Sequence, residues 1–404
     1  MTDASPVSAV ADRASRGRRP ELGTTTSAEI FTRIITNGPI SRVEIGRLTG
    51  LSPAKVTKTV SPLIRDGFVT VGEHAEHSTP GRPVYPLSVV PRAMVAIGVK
   101  VNADEVVAAT VSLGNELLAS TRRSLPEHSP ETVAAAIVEV ARELIAELGD
   151  DASALAGVGV AVSGDIDSDT GVVRDSPLLG WAQVPLGAEV EARLELPVIV
   201  ENDVLALAKA EQWFGEGTEA ESFAIITIGA GIGCGIYVNR DVVSGSHGVA
   251  GEIGHLPLAR PDALCVCGRR GCVEAVASSR AILEAVQTDH ADPSLTLEDV
   301  VRLAHEGDDG AVTAFERAGT AIGAALAATV NLIGPEVVVI AGEGVTDYDL
   351  YERRIRDEFS AHAFGAAGNC RLVVRGHTFL DWARGAAVTA LRAALVVTPA
   401  TPAA

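Results

Sequence analysis

The run Cys265-Val266-Cys267-Gly268-Arg269-Arg270-Gly271-Cys272 places three of the chain's five cysteines within eight residues, and His255 lies ten residues before the first. One imidazole nitrogen and three thiolates complete the tetrahedral N/S shell that Zn²⁺ favours. Gly268 and Gly271 let the chain turn back so that the three sulfurs meet one ion. The plainer reading is free cysteines acting as small apolar core residues. It does not account for a spaced Cys-x-Cys-Gly-x-x-Gly-Cys. Four protein ligands leave no open position for water. The expectation is therefore one structural Zn²⁺ on His255, Cys265, Cys267 and Cys272.

Gly251-Glu252-Ile253-Gly254-His255 precedes this run, and Glu274 closes it. Together these residues resemble the signature of the ROK family, which contains bacterial sugar kinases, related open reading frames and transcriptional repressors. The resemblance runs from about Thr24 to Leu395. It implies a two-lobed actin-like, ribonuclease H-like fold of the sugar-kinase type. It also implies a sugar site. Asn202-Asp203 matches the family's Asn-Asp, with Asp203 standing where the catalytic base would be, and Glu252, His255 and Glu274 match positions that bind sugar hydroxyls. A polyhydroxylated ligand needs several acceptors, because each buried hydroxyl must be paired. The expected ligand residues are thus Asn202, Asp203, Glu252, His255 and Glu274. The plainer alternatives are that Asp203 caps a helix and that Glu274 is a surface acid. Where many family members have Pro-Asn-Leu-x-Gly-Trp, this chain has Pro177-Leu178-Leu179-Gly180-Trp181, so Leu178 replaces a sugar-holding asparagine.

The loops that would carry nucleotide chemistry depart from the family pattern. Asp-x-Gly-Gly-Thr has become Lys100-Val101-Asn102-Ala103-Asp104. Glycines there let backbone approach phosphate, and the hydroxyl adds a donor. Asp104 and Glu105 instead bring negative charge, partly offset by Lys100. The second loop reads Gly229-Ala230-Gly231-Ile232-Gly233-Cys234-Gly235 and lacks its threonine; its plainer reading is a glycine hairpin. The third reads Ala341-Gly342-Glu343-Gly344-Val345, with a bulky acid where a nucleotide should enter.

The elements around these residues divide the chain. Its 404 residues exceed one ordinary core, and 47% of them are hydrophobic, so two or three domains are expected. No apolar run approaches the ~20 residues of a membrane helix. No secretory signal is evident at the N-terminus. Cysteines that read as metal ligands rather than disulfides point to a reduced, cytoplasmic setting. Net charge is −19, yet residues 1–93 carry 12 Lys and Arg against 8 Asp and Glu. The remainder carries 21 against 44. A basic head on an acidic body suggests that only the head meets nucleic acid.

The head is expected to be a disordered tail over 1–23, with Arg16, Arg18 and Arg19 solvated and grazing of DNA phosphates the alternative, then a winged helix-turn-helix over 24–90. Thr26-x-x-Glu29 and Ser41-x-x-Glu44 read as capping boxes. Gly38 and Gly50 end the first two helices. Ser52 and Pro53 start a third, with Val56, Val60, Leu63 and Ile64 on its inner face. Pro62 should kink or end it. Phe68–Val71 and Val84–Val89 read as the wing strands, with Gly81-Arg82-Pro83 at the tip resembling the Gly-Arg-Pro of ROK repressors, where an arginine can enter a narrow minor groove. Candidate DNA contacts are Ser41, Ser52, Lys55, Thr57, Lys58 and Arg82. A small helical dimerisation domain is the plainer alternative for this segment.

Beyond it, alternating strands and helices are expected to build lobe 1 over 93–205, rejoined by a C-terminal helix at 382–396, and lobe 2 over 206–381. Ligands of such folds sit in the cleft between the lobes. The reading as a whole is a regulator, a repressor of carbohydrate-related genes. It would be a homodimer or dimer of dimers that binds a double-stranded operator and senses a sugar without phosphorylating it. The rivals are an active sugar kinase with an appended DNA-binding domain and a regulator whose pocket has decayed.

Overall fold

The computed structural model describes residues 19–73, 85–246 and 248–395. The described chain forms two compact units. The first runs to Thr218 and takes the chain back from Phe379; the second is Glu219–Thr378. The boundary falls at 218/219 rather than 205/206, because the helix that follows Asn202 packs on the C-terminal helix of its own unit.

The first unit opens with three short helices: α1 (Thr25–Asn37), α2 (Arg42–Thr49) and α3 (Pro53–Arg65). Thr24, not Thr26, caps α1 by accepting from the Ser27 amide. Ser41 caps α2, but Glu44 turns to Arg47 instead of returning to the cap, so only half of the expected box forms. Gly50 ends α2 at φ 68°, a left-handed conformation that glycine adopts without strain. Ser52 caps α3 as expected. Pro62 does not end that helix, which continues to Arg65. Pro62 lies in the last turn, and the carbonyl its missing N–H would have served belongs to exposed Lys58. Strands β1 (Val69–Val71) and β2 (Leu87–Val89) pair antiparallel, and Ile40 bridges to Leu87 as a third short rung. Phe31 and Phe68 meet edge to face, with ring centroids 6.0 Å apart, in the centre of this domain.

This head is not an independent ball. Its buried residues Ile30, Phe31, Val60 and Phe68 belong to one apolar cluster with Met94, Val107, Trp213 and Leu391 of the body. Arg19, though exposed, donates to the Ala156 carbonyl at 2.6 Å. Arg16 and Arg18 lie outside the described residues.

The body of the first unit carries β3 (Val95–Val101), β4 (Glu105–Ser112), β5 (Leu117–Ser124), α4 (Pro130–Leu148), β6 (Leu155–Val162), a small antiparallel sheet of β7 (Asp165–Asp167), β8 (Val172–Ser176) and β9 (Trp181–Val184), then α5 (Leu186–Leu194), β10 (Val198–Asn202) and α6 (Asp203–Phe214). The second unit carries β11 (Phe223–Ile228), β12 (Ile232–Val238), β13 (Asp241–Val242), four helices α7 (Glu274–Ala277), α8 (Ser279–Asp289), α9 (Leu297–His305) and α10 (Asp309–Ile333), then β14 (Val337–Ala341), α11 (Asp349–His362) and β15 (Arg371–Val374). Helix α12 (Phe379–Ala393) closes the first unit. It begins three residues before the expected 382.

Both five-stranded sheets have the same plan. Their orders are β10-β6-β3-β4-β5 and β13-β12-β11-β14-β15. In each, three strands form an antiparallel meander, and the first of them pairs parallel with the fourth. The actin-like architecture is this duplication. Central strands β3, β6, β11 and β14 are buried along their whole length, as strands covered on both faces must be. Edge strand β5 is largely exposed and bears Arg122 and Arg123, charges that discourage further pairing. A Cβ on Gly98 would overlap the Ala383 backbone, so that glycine lets α12 settle onto β3.

Candidate functional site

In the second unit, the Gly251–Glu274 segment wraps back on itself. Gly268 and Gly271 adopt φ 80° and 78°, the left-handed turns the spacing requires. The Cys265 amide donates to the Arg269 carbonyl at 2.8 Å, and Val273 returns to Leu256 at 3.0 Å. This brings His255, Cys265, Cys267 and Cys272 together, with their ligand atoms all within 4.8 Å of one another. Around a tetrahedral ion with bonds of about 2.3 Å, sulfurs should sit roughly 3.8 Å apart. Cys267 Sγ and Cys272 Sγ are 3.8 Å apart, and Cys265 Sγ lies 3.8 Å from His255 Nδ1. The donor set and its spacing fit a metal ion. His255 Nε2 faces Glu252 Oε2 at 3.9 Å, so a carboxylate lies on the side of the ring away from the sulfurs. Cys234 is not part of the group; burial pushes its thiol up to about 12, and it serves as core.

Glu274 lies beside this centre and does not project as a free surface acid. Its Oε1 is 4.0 Å from Cys265 Sγ, and its Oε2 accepts from the Ile232 amide at 3.1 Å. The second glycine loop is the plain hairpin expected, closed by the Ile228–Ile232 pair. Its surroundings were not expected. The Glu343 carboxylate accepts the Ala230 amide at 2.7 Å, and a Cβ on Gly229 would overlap that carboxylate.

In the first unit, Asn202 is the helix cap. Its Oδ1 accepts from the Leu205 amide at 3.1 Å, and its Nδ2 donates to Gly164 at 3.0 Å. Asp203 therefore does not cap. Its Oδ2 pairs with the Lys100 ammonium. Both side chains are buried, at 5% and 11% exposure, and the Lys100 Nζ stands 5.3 Å from the centre of the Trp382 ring. Lys100 was expected to offset Asp104 and Glu105; it turns to Asp203 instead. The sheet explains the reach. Lys100 registers with Ala161, which registers with Glu201. Asp203 comes two residues after Glu201, at the start of α6 just past the end of β10, which lies two strands from β3, about 10 Å across. Small Ala161 leaves the path open. A second buried carboxylate, Glu201, accepts from Ser168 at 2.8 Å and pairs with Lys209. Leu178 is 39% exposed.

On the head, Lys55, Thr57 and Lys58 are exposed on α3, opposite Val56 and Val60, which are fully buried. Ser41 and Ser52 occupy the N-cap positions of α2 and α3. Arg82 lies outside the described residues.

Residues 96–393 match the model of the ROK family. The chain belongs to that family. The xylose repressor of Bacillus subtilis is 28% identical over 340 residues, covering 84% of this chain and 88% of its own. The transcriptional dual regulator NagC of Escherichia coli is 29% identical, covering 80% and 81%. Among solved structures, a ROK transcriptional regulator described as a homologue of the E. coli MLC protein matches at TM-score 0.77 and 27% identity, over 91% of this chain and 96% of its own. A ROK glucokinase from Streptomyces griseus matches at TM-score 0.61 and 27% identity, over 98% of its own chain but 72% of this one. The kinase is thus matched nearly whole by less than three quarters of this chain. The regulator matches 91% of it, and with relatives that are transcriptional regulators the chain is a transcriptional regulator of the ROK family. No helix among the described residues is long and apolar enough to cross a membrane.

Proposed function

We propose that this chain is a cytoplasmic DNA-binding repressor of carbohydrate-related genes that senses a sugar or sugar derivative and transfers no phosphate. The observation that carries the second half is the Lys100–Asp203 pair. In a ROK kinase the aspartate at this position must accept a proton from the sugar hydroxyl. Here one oxygen of that aspartate is already engaged by the buried Lys100 ammonium, so it is not free to face a hydroxyl. The first half rests on the capped α3 with Lys55, Thr57 and Lys58 exposed, and on relatives named as a xylose repressor and a DNA-binding transcriptional dual regulator, each matched over most of its length.

The four-ligand cluster holds Zn²⁺ in this reading. With His255 and three cysteines as ligands, the ion fixes the loop that presents Glu252 and Glu274. Asn202, Asp203, Glu252, His255 and Glu274 are proposed as residues that hydrogen-bond the sugar. The working form is a homodimer on a double-stranded operator. The test is a thermal-shift screen of mono- and disaccharides, with xylose and N-acetylglucosamine included, followed by operator binding with the best ligand. A sugar that raises the melting temperature and changes operator affinity is the expected result. Robust ATP-dependent phosphorylation of that sugar would sink the reading.

A further inference from the structure

The Gly229–Gly231 turn is enclosed by carboxylates from its own chain. Strands β11 and β14 are parallel neighbours, with Thr227 registered on Ala341. Their C-terminal ends therefore lie side by side, and the residues just after them, Gly229 and Glu343, meet. Gly342 turns at φ 99° against Ile228 and aims Glu343 at the hairpin. Its Oε1 takes the Ala230 amide at 2.7 Å, and its carboxylate fills the space that a Cβ on Gly229 would need. On the other glycine, Glu274 Oε2 lies 2.9 Å from where a Gly231 Cβ would be and takes the Ile232 amide at 3.1 Å. Backbone amides beside side-chain-free glycines are the usual means by which a loop holds an oxyanion. Here the Ala230 and Ile232 amides each already hold a carboxylate oxygen.

We infer that Glu343 is a tethered anion occupying an oxyanion site built by the Gly229–Ala230 backbone, and that its side chain, rather than decay of the loop, keeps phosphate-type ligands out. Occupancy by a covalently attached carboxylate needs no loss of translational freedom, so a free phosphate must displace a partner of very high effective concentration. Shortening the side chain should uncover the amide without disturbing β11, β12 or β14. This holds whether or not the chain senses a sugar.

The test uses the full chain, with inorganic pyrophosphate and ADP as probes, in wild type, Glu343→Gly and Glu343→Gln. Wild type should show no saturable binding of either. E343G should bind pyrophosphate by calorimetry, and its melting temperature should rise about 2–4 °C at several times Kd. Binding of ADP as well extends the site to nucleotides; binding of pyrophosphate alone restricts it to the free anion. Both support the inference. E343Q keeps an acceptor oxygen in place and should stay closed. If E343Q opens as far as E343G, charge rather than occupancy excludes the anion and the assignment fails. It fails equally if wild type binds, or if a cooperatively melting E343G binds neither probe. Should E343G not melt cooperatively, E343A carries the same measurement.

Discussion

Lys100 and Asp203 stand 103 positions apart in the chain, and nothing local in either neighbourhood announces their pairing. Each departure or match was legible by itself: a lysine where the family has aspartate, an aspartate where the family has its base. What joined them was strand order, which puts β10 two places from β3 with only Ala161 on the path. The pair changes how a test must be designed. Asp203→Ala would leave a buried ammonium without a partner, so it is not a clean probe of ligand binding. Lys100→Met should lower the stability of the first unit by about 3–5 kcal/mol, because a buried carboxylate is then uncompensated. K100M with Asp203→Leu should recover most of that loss, since replacing both charges removes the desolvation cost as well. Urea transitions of the two variants check this. A K100M protein as stable as wild type would mean that Asp203 reaches water.

At the scale of elements, the zinc-type loop was the most readable part, because its ligands fall within eighteen residues and its glycines mark the turns. The partner contacts of Glu274 and Glu343 were not readable, because they depend on which strand ends the sheet makes adjacent. Pro62 marks the helix end to within a turn: the rule against proline holds in a helix interior, and α3 runs only three residues past it. Two predictions belong here. Cys267→Ser should lose the bound metal and destabilise the second unit, since structural zinc supplies folding free energy. Metal analysis together with the melting curve reads both effects; wild type purified without zinc would contradict the assignment. On α3, Lys58→Ala should weaken operator binding across sequences if Lys58 meets phosphate. The slope of log affinity against log salt should then become shallower by about 0.9 per contact, hence roughly 1.8 for a two-fold dimer. If Lys55→Ala and Lys58→Ala both leave affinity and slope unchanged, α3 is not at the interface.

For the molecule as a whole, composition separated a basic head from an acidic body, and it is tempting to imagine the head swinging on a linker. The apolar cluster that joins Phe31 and Phe68 to Met94, Trp213 and Leu391 argues otherwise. A head that shares a core with the first unit moves with it, so whatever displaces that unit displaces α3 by a comparable amount. A two-fold dimer then presents two α3 helices at a spacing set by its own subunit geometry. Its operator should be an inverted repeat with half-sites a whole number of helical turns apart, about 10–10.5 base pairs or multiples of it. A sugar can change operator affinity only by binding one arrangement of the dimer better than another. A coupling of typical size, roughly 1–3 kcal/mol, corresponds to about a 5- to 150-fold change. Glu252→Ala is the better probe of this coupling. Glu252 is half-exposed and outside the four-ligand cluster, so its loss should spare folding and operator binding in the absence of sugar. The expected outcome is operator affinity equal to wild type without ligand and no response when ligand is added. Zinc content measured alongside separates lost sugar contact from a loosened ligand loop, because Glu252 also faces His255. An E252A protein that responds to sugar as wild type does would place the effector's contacts elsewhere.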